Sequence, residues 1–355
     1  MDFTDKSKEV RQGEELDVKV IEPFLKENIP GLSGPLTVEQ FPSGYSNLTY
    51  LVRIGNKELV LRRPPFGRKA KTAHDMGREY RILKALNPVF PYCPEPLAYT
   101  EDESILGCPF YVMERIRGII LRKKLPEGLE FTPDQMRSLC ENLLDVHYTL
   151  HSIDYKAVGL EGFGKPEGYV KRQVEGWSER YRAARTPDAP DFERVMQWLH
   201  DKMPPDFSKP SIIHNDFKFD NVMLDPDNPL KIVGVLDWEM ATGGDPLMDL
   251  GCSLGYWVQS DDPPELQAVR TLSTNLPGAL TRDEVVKRYE EKTGIGIDNF
   301  DFYLCFGFFR LAVIVQQIYY RFYHGQTKDE RFKSLIMVAH ILEAQANKTI
   351  EKSDL

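Results

Sequence analysis

The sequence predicts a two-lobed α+β protein, and three observations carry that prediction. Strand-like segments with one main helix crowd the first third of the chain. Helical patterns fill most of the rest, interrupted by one hairpin. The length of 355 residues exceeds what one small core needs, while 41% hydrophobic and 28% charged residues are ordinary globular proportions. Each lobe therefore has enough apolar material for its own core.

Asp17 to Ile29 reads as an amphipathic helix with Val20, Ile21, Phe24 and Leu25 on one side. "LTVEQF", the loop Pro42 to Ser46, "NLTYLVRI", the Gly55-Asn56 turn and "KELVLRR" carry hairpin signals. Lys71 to Leu86 reads as a helix, and "PEPLAYT" and "PFYVMERI" as two more strands around the polar turn "EDESILG". A junction near Arg117-Gly118 follows. Thr132 is a natural N-cap, with Pro133 as the first helical residue and Gln135 as the capping-box partner, for a helix running to about His151. Gly159 to Gly168 is a loop, Tyr169 to Arg185 a helix, and "NVMLD" and "KIVGVLD" form a hairpin around Pro226 to Pro229. The domains expected are residues 1–114 and 115–355.

Charge and composition exclude several classes. A net charge of −9 speaks against a general nucleic-acid binder. The five cysteines are scattered without a C-x-x-C pair, and polar residues rather than a basic-then-apolar leader follow Met1, which predicts a cytoplasmic protein. The long apolar run Phe302 to Tyr320 holds Arg310, Gln316 and Gln317, so a buried helix is expected there and no membrane partner. Oligomeric state is not legible.

The chemistry concentrates in "IHNDFKFDNVML", Ile213 to Leu224, and in Leu236-Asp237-Trp238-Glu239. Asp216 and Asn221 lie five positions apart on a loop, and Asp237 ends a strand returning towards it. Hard oxygen donors gathered at one hairpin suit Mg²⁺ with room for phosphate and water. Phosphoryl transfer needs that ion on the phosphates and a carboxylate on the accepting hydroxyl. His147 and His151 are spaced i, i+4, but the HExxH glutamate and further zinc ligands are missing, so both read as core or interface histidines.

These residues resemble the aminoglycoside-phosphotransferase and choline-kinase branch of the kinase-like superfamily. There the loop reads H-x-D-x-x-x-x-N and a D-x-E replaces D-F-G, as His214-Asn215-Asp216, Asn221 and Asp237-Trp238-Glu239 do here. The resemblance implies a bilobal protein-kinase-like fold, with an antiparallel sheet and one main helix in the N-lobe and a larger, mostly helical C-lobe. It also implies ATP and Mg²⁺ as cofactors, Asp216 as catalytic base, and Asn221 and Asp237 as metal ligands. Asp245 is expected to cap a helix and Asp249 to bond the catalytic-loop backbone.

For the nucleotide, the likeness places Gly44, Ser46 and Asn47 in a phosphate-covering loop and Arg62 at the position of the kinase β3 lysine. Glu79 is then the partner of Arg62, and the backbones of Glu114 and Ile116 face adenine beyond the gatekeeper Met113. Strand alternation puts Val60 and Arg62 on one face and Arg63 on the other.

No long segment ending in A-P-E follows Asp237, so a small-molecule acceptor is expected rather than a protein. "SNLTYLV", "LVLRRPP", "LHSID" and "GLEGFGKPEGYVKRQVEGW" are similar to the kinase-like domain of some acyl-CoA dehydrogenases and to bacterial phosphotransferase-family proteins, over roughly residues 30–345. That likeness implies a hydroxyacyl-CoA acceptor. Basic clusters at Arg115 to Lys124 and Tyr169 to Arg185 favour an anionic ligand over a polycation. The alternatives are an aminoglycoside-type antibiotic kinase and a nucleotide-binding module without turnover.

Overall fold

The structure, a computed structural model, describes residues 2–42, 47–65 and 75–355. In chain order its elements are α1 (Val18–Asn28), β1 (Leu36–Gln40), β2 (Leu48–Ile54), β3 (Lys57–Arg63), α2 (Met76–Leu86), β4 (Pro96–Thr100), α3 (Glu103–Leu106) and β5 (Phe110–Glu114). Then come α4 (Pro133–His151), α5 (Tyr169–Ala184), α6 (Glu193–Asp201), β6 (Ser211–Ile213), β7 (Val222–Leu224), β8 (Ile232–Val235) and β9 (Thr242–Gly244). The chain ends with α7 (Pro246–Gly255), α8 (Pro264–Val269), α9 (Arg282–Thr293), α10 (Asp301–Tyr323) and α11 (Leu335–Lys352). This is the kinase-like α+β fold, with an antiparallel sheet in the N-terminal part and a mostly helical C-terminal part.

The chain divides into two compact units. The first takes in Met1–Ile120, Lys156–Leu160 and Asn221–Ala241. Among the described residues its main sheet has the order β1-β2-β3-β5-β4, antiparallel throughout. Leu59 and Leu61 of β3 join Tyr50 and Val52 of β2 in a core that Ile21 and Leu25 of α1 cover. Asp17 caps α1 by accepting from Lys19 N at 3.0 Å. Val20 is 38% exposed, so the apolar face of α1 is narrower than its periodicity suggests. The β7–β8 hairpin belongs to this unit as well. Gly118 makes room for it: a Cβ there would meet Leu224 O at 2.7 Å, and Ile119 exchanges backbone hydrogen bonds with Leu224 at 2.9 Å.

The second unit is Leu121–Tyr155, Glu161–Asp220 and Thr242–Leu355. The Thr132–Gln135 capping box starts α4 as its sequence directs. α10 packs against α5, α7 and α11. It is long and apolar enough to cross a membrane by length and composition, yet 72% of its most apolar window is buried in the protein. Gly251, Gly255 of α7 and Gly307 of α10 let the two helices touch backbone to backbone; a Cβ at Gly255 would lie 2.7 Å from the Gly307 carbonyl.

Three expectations change. The turn "EDESILG" contains the one-turn helix α3, capped by Asp102 and closed by Gly107 in the left-handed region (φ 72°). The helix read over 71–86 begins at Met76 behind its cap Asp75, and 71–74 lie outside the described residues. The C-terminal half holds a second pairing, β6 with β9, beside the single hairpin expected.

Candidate active site

The first unit builds a buried charge cluster on β3. Arg62 opposes Thr49 on β2 and Tyr111 on β5, and it shares a strand face with Val60. Arg63 points the other way, on the side of Leu59 and Leu61, where its Nε donates to Pro64 O at 3.2 Å. Arg62 Nη1 donates to Glu79 Oε1 at 2.5 Å, and its Nη2 to Asp237 Oδ1 at 2.9 Å with Glu239 Oε2 at 3.7 Å. Asn47 Nδ2 donates to Glu239 Oε2 at 2.7 Å. Burial works against the guanidinium's charge, but the carboxylates, Glu79 foremost, hold Arg62 well above the ordinary arginine value. The structure thus joins Asn47, Arg62, Glu79 and Asp237. Gly44 and Ser46 lie outside the described residues.

The hairpin sets the oxygen donors. Val222 pairs with Val235, and Leu236 N donates to Asn221 O at 2.8 Å, which aligns Asn221 with the turn into Asp237. Asp237 has φ 65° and ψ 62°, a left-handed conformation that Asp and Asn tolerate better than other side-chain-bearing residues. An amide and a carboxylate are the hard oxygen ligands Mg²⁺ takes, so the donor chemistry fits the ion. Glu114 closes β5: its N–H donates to Glu95 O at 2.9 Å and its Oε1 accepts from Glu95 N at 3.0 Å. Ile116 beyond it lies against Gly234, whose Cβ would come within 2.8 Å of Ile116 Cδ1.

The second unit fixes the Asp216 loop through one buried carboxylate. β6, held by β9, delivers His214 and Asn215 beneath Asp249 of α7. Asp249 Oδ2 accepts from His214 N and Oδ1 from Asn215 N, both at 2.7 Å. His147 Nε2 and His151 Nε2 of α4 each lie 3.0 Å from Asp249 Oδ2, and His151 Nδ1 lies 2.8 Å from the Tyr289 hydroxyl of α9. The two helical histidines are therefore props of Asp249. Burial opposes the Asp249 charge, but the histidines hold its carboxyl well below the usual range. Burial pulls His147 down to about 4, helped by His151, so the ring is neutral at neutral pH. Asp245 caps α7, accepting from Leu247 N at 2.8 Å.

This anchoring sets Asn215 at φ 64°, again a left-handed Asn, and turns the chain into Asp216. Lys218 Nζ donates to Asp216 Oδ2 at 2.5 Å and lies 3.4 Å from Asp220 Oδ1. Burial would lower Lys218, but the charges of Asp216 and Asp220 keep it above the usual lysine value.

A family model described as "phosphotransferase enzyme family" matches residues 37–280. The chain belongs to that family. Among curated proteins this phosphotransferase is similar to acyl-CoA dehydrogenase family member 10 of Mus musculus, 38% identical over 89% of this chain and 30% of that one. It is also similar to acyl-CoA dehydrogenase family member 11 of Gallus gallus, 35% identical over 91% and 42%. The chain thus spans less than half the length of these relatives. Among solved structures, a Ralstonia eutropha protein whose aminoglycoside phosphotransferase assignment is provisional has TM-score 0.81 and 29% identity over 96% of this chain and 100% of its own. Choline kinase of Cryptosporidium parvum shares the fold, with TM-score 0.63 and 13% identity over 95% and 96%. The chain accordingly combines the kinase-like fold with membership of the phosphotransferase enzyme family.

Sequence reasoning missed Lys218, which stood in the quoted motif two positions after Asp216; that spacing was the available signal. Two charge clusters also differ from their sequence appearance. Arg115 and Arg117 are neutralised by Glu58 Oε2 at 2.6 and 2.9 Å, a long-range pairing. Burial alone would push Glu58 up, but Arg53 and Arg117 with the Arg115 charge bring it down to about 2. In α5, Arg172 is spent on the carbonyls of Lys165 and Glu167, and Arg182 pairs with Glu193 at 2.7 Å.

Proposed function

We propose that this phosphotransferase moves the γ-phosphoryl group of ATP, with Mg²⁺, to a hydroxyl of a small anionic acceptor, a hydroxyacyl-CoA, in the cytoplasm. The observation that carries the reading is the Asp216 loop. One buried carboxylate, Asp249, clamps its two preceding backbone amides, and Lys218 fixes the Asp216 carboxylate at 2.5 Å. Such preorganisation is what a positioned base needs.

In this reading residues 1–114 bind the nucleotide and 115–355 supply base and acceptor contacts. Arg62, held by Glu79, contacts the nucleotide phosphates with help from Asn47 and the Gly44–Ser46 segment, and the backbones of Glu114 and Ile116 meet the base. Asn221 and Asp237 would hold the metal, which would supply charge neutralisation for the phosphates. Asp216 takes the proton as the acceptor oxygen bonds to the γ-phosphorus and the bond to the ADP oxygen breaks. Lys218 keeps the carboxylate aimed before that proton arrives. The lack of an A-P-E segment supports a small acceptor, and the 38% identity to a chain named as an acyl-CoA dehydrogenase family member supports the acyl-CoA class.

The test is ATP turnover with and without a panel of hydroxyacyl-CoAs and aminoglycosides. Acceptor-dependent ADP release with a hydroxyacyl-CoA is expected. Efficient phosphorylation of an aminoglycoside with none of any hydroxyacyl-CoA would overturn the acceptor class and leave the phosphotransferase reaction standing.

A further inference from the structure

Residues 163–168 run along β9 and deliver Tyr169, the first residue of α5, to the Asp216 loop. Gly243 N donates to Phe163 O at 2.9 Å, and Gly164 forms a parallel bridge with Gly243. The approach leaves no room for a side chain, since a Cβ at Gly164 would meet Gly243 N at 2.8 Å. Gly168 then turns the chain at φ 63°, with its N–H donating to Asp206 Oδ2 at 2.6 Å, and Tyr169 N donates to Pro166 O at 3.0 Å. The Tyr169 ring fills the space that Gly244 of β9 leaves open: a Cβ there would lie 2.9 Å from Cε2 and 3.0 Å from Cζ. Backbone and ring are both fixed by these contacts.

The hydroxyl at the end of that ring donates to Asn215 Oδ1 at 3.1 Å, and both residues are buried. Burial pushes the phenol above its usual value, so it is a neutral donor at neutral pH. Asn215 stands between His214 and Asp216 in a left-handed conformation at φ 64°. A residue with a side chain persists there only where its surroundings hold it. Asp249 Oδ1 holds its backbone N–H at 2.7 Å. One hydrogen bond fixes one point of the residue. The amide held by Tyr169 supplies a second, and two points set the direction in which the chain leaves Asn215. The next residue in that direction is Asp216.

We propose that Tyr169 is a positioning residue for the phosphoryl transfer, and that through Asn215 it sets the aim of the Asp216 carboxylate. The inference rests on the reading of Asp216 as base and adds the residue that orients it. Such an effect reads out in kcat, because a base displaced by a fraction of an ångström loses rate while the nucleotide stays bound.

The experiment is a double-mutant cycle of Tyr169→Phe, which removes the hydroxyl alone, and Asn215→Gly, which keeps the left-handed backbone and removes the amide. Transfer from ATP to 3-hydroxybutyryl-CoA gives kcat and both KM values. Hydrogen exchange of the peptide 211–218 reports the loop with no acceptor present. Tyr169→Phe should lower kcat about 3- to 10-fold, the effect of losing one neutral hydrogen bond, with both KM values within about twofold of wild type. Exchange across 211–218 should quicken by a similar factor while α11 is unchanged. The double variant should match Asn215→Gly in both readouts, since the hydroxyl has then lost the group it acts through. Losses that multiply in the double variant would overturn the inference. Faster exchange in Tyr169→Phe at an unchanged kcat would leave Tyr169 a structural role only, and unchanged exchange would overturn the proposal outright. A wild type that turns over no hydroxyacyl-CoA would overturn the acceptor reading alone, and the cycle read in exchange rates would still decide this one. Undiminished transfer by Asp216→Asn would overturn the base assignment and this inference with it.

Discussion

Each unit buries an arginine, and the two are treated oppositely. Arg62 in the first unit meets Glu79, Asp237 and Glu239 at 2.5, 2.9 and 3.7 Å. Arg310 in the second lies on the Trp177 ring at 5.2 Å beside the Cys252 thiol, with the Asp216 charge in reach. The first is a charge among carboxylates, one of which, Asp237, is the proposed metal ligand; the second is a charge held on an aromatic ring. Breaking a buried pair by deleting one partner costs about 3–5 kcal/mol.

The largest effect expected in the Arg62 cluster comes from Asp237→Ala. Removing this proposed metal ligand, which is also an arginine partner, should weaken Mg²⁺-dependent ATP binding by at least about 100-fold. Calorimetry with and without Mg²⁺ checks it, and unchanged metal dependence would remove Asp237 from the ligand set. Arg62→Lys is next. The point charge can keep Glu79 but not Asp237 as well, so ATP KM should rise about tenfold, equivalent to about 1.4 kcal/mol, while acceptor KM stays constant. A variant that raised both equally would contradict a nucleotide-specific role for Arg62.

The smallest effect is a pH dependence carried by His147. Its folded value is about 4 against an ordinary 6.5, so the unfolded chain binds the proton first. Stability should therefore fall as pH drops from about 6.5 to about 4, and be independent of this group above that window. His151, Asp249 and His214 surround the ring, so the informative quantity is a difference between two proteins. His147→Phe should flatten the Tm-against-pH slope in that window relative to wild type. An unchanged slope would show that His147 does not carry the dependence.

Much of this was legible in the sequence where local rules suffice. Thr132 and Asp245 cap helices because side-chain oxygens two or three residues from free N–H groups need no distant partner. Strand alternation separated Arg62 from Arg63. The spacing of His214, Asp216, Asn221 and Asp237-Trp238-Glu239 pointed to the family. What stayed hidden depends on long-range approach. β6 and β9 are three residues each, too short for a period-two pattern, and pair across about thirty intervening positions. Glu58 neutralises two arginines more than fifty residues away.

Asp216 is proposed as the base of a phosphoryl transfer whose nucleotide contacts lie elsewhere. The most direct measurement is transfer of labelled γ-phosphate from ATP to 3-hydroxybutyryl-CoA by Asp216→Asn, beside ATP binding by the same protein. ATP binding within about twofold of wild type is expected, with transfer reduced about 10²- to 10⁴-fold, the range of a lost general base. Near-wild-type transfer by Asp216→Asn would contradict it.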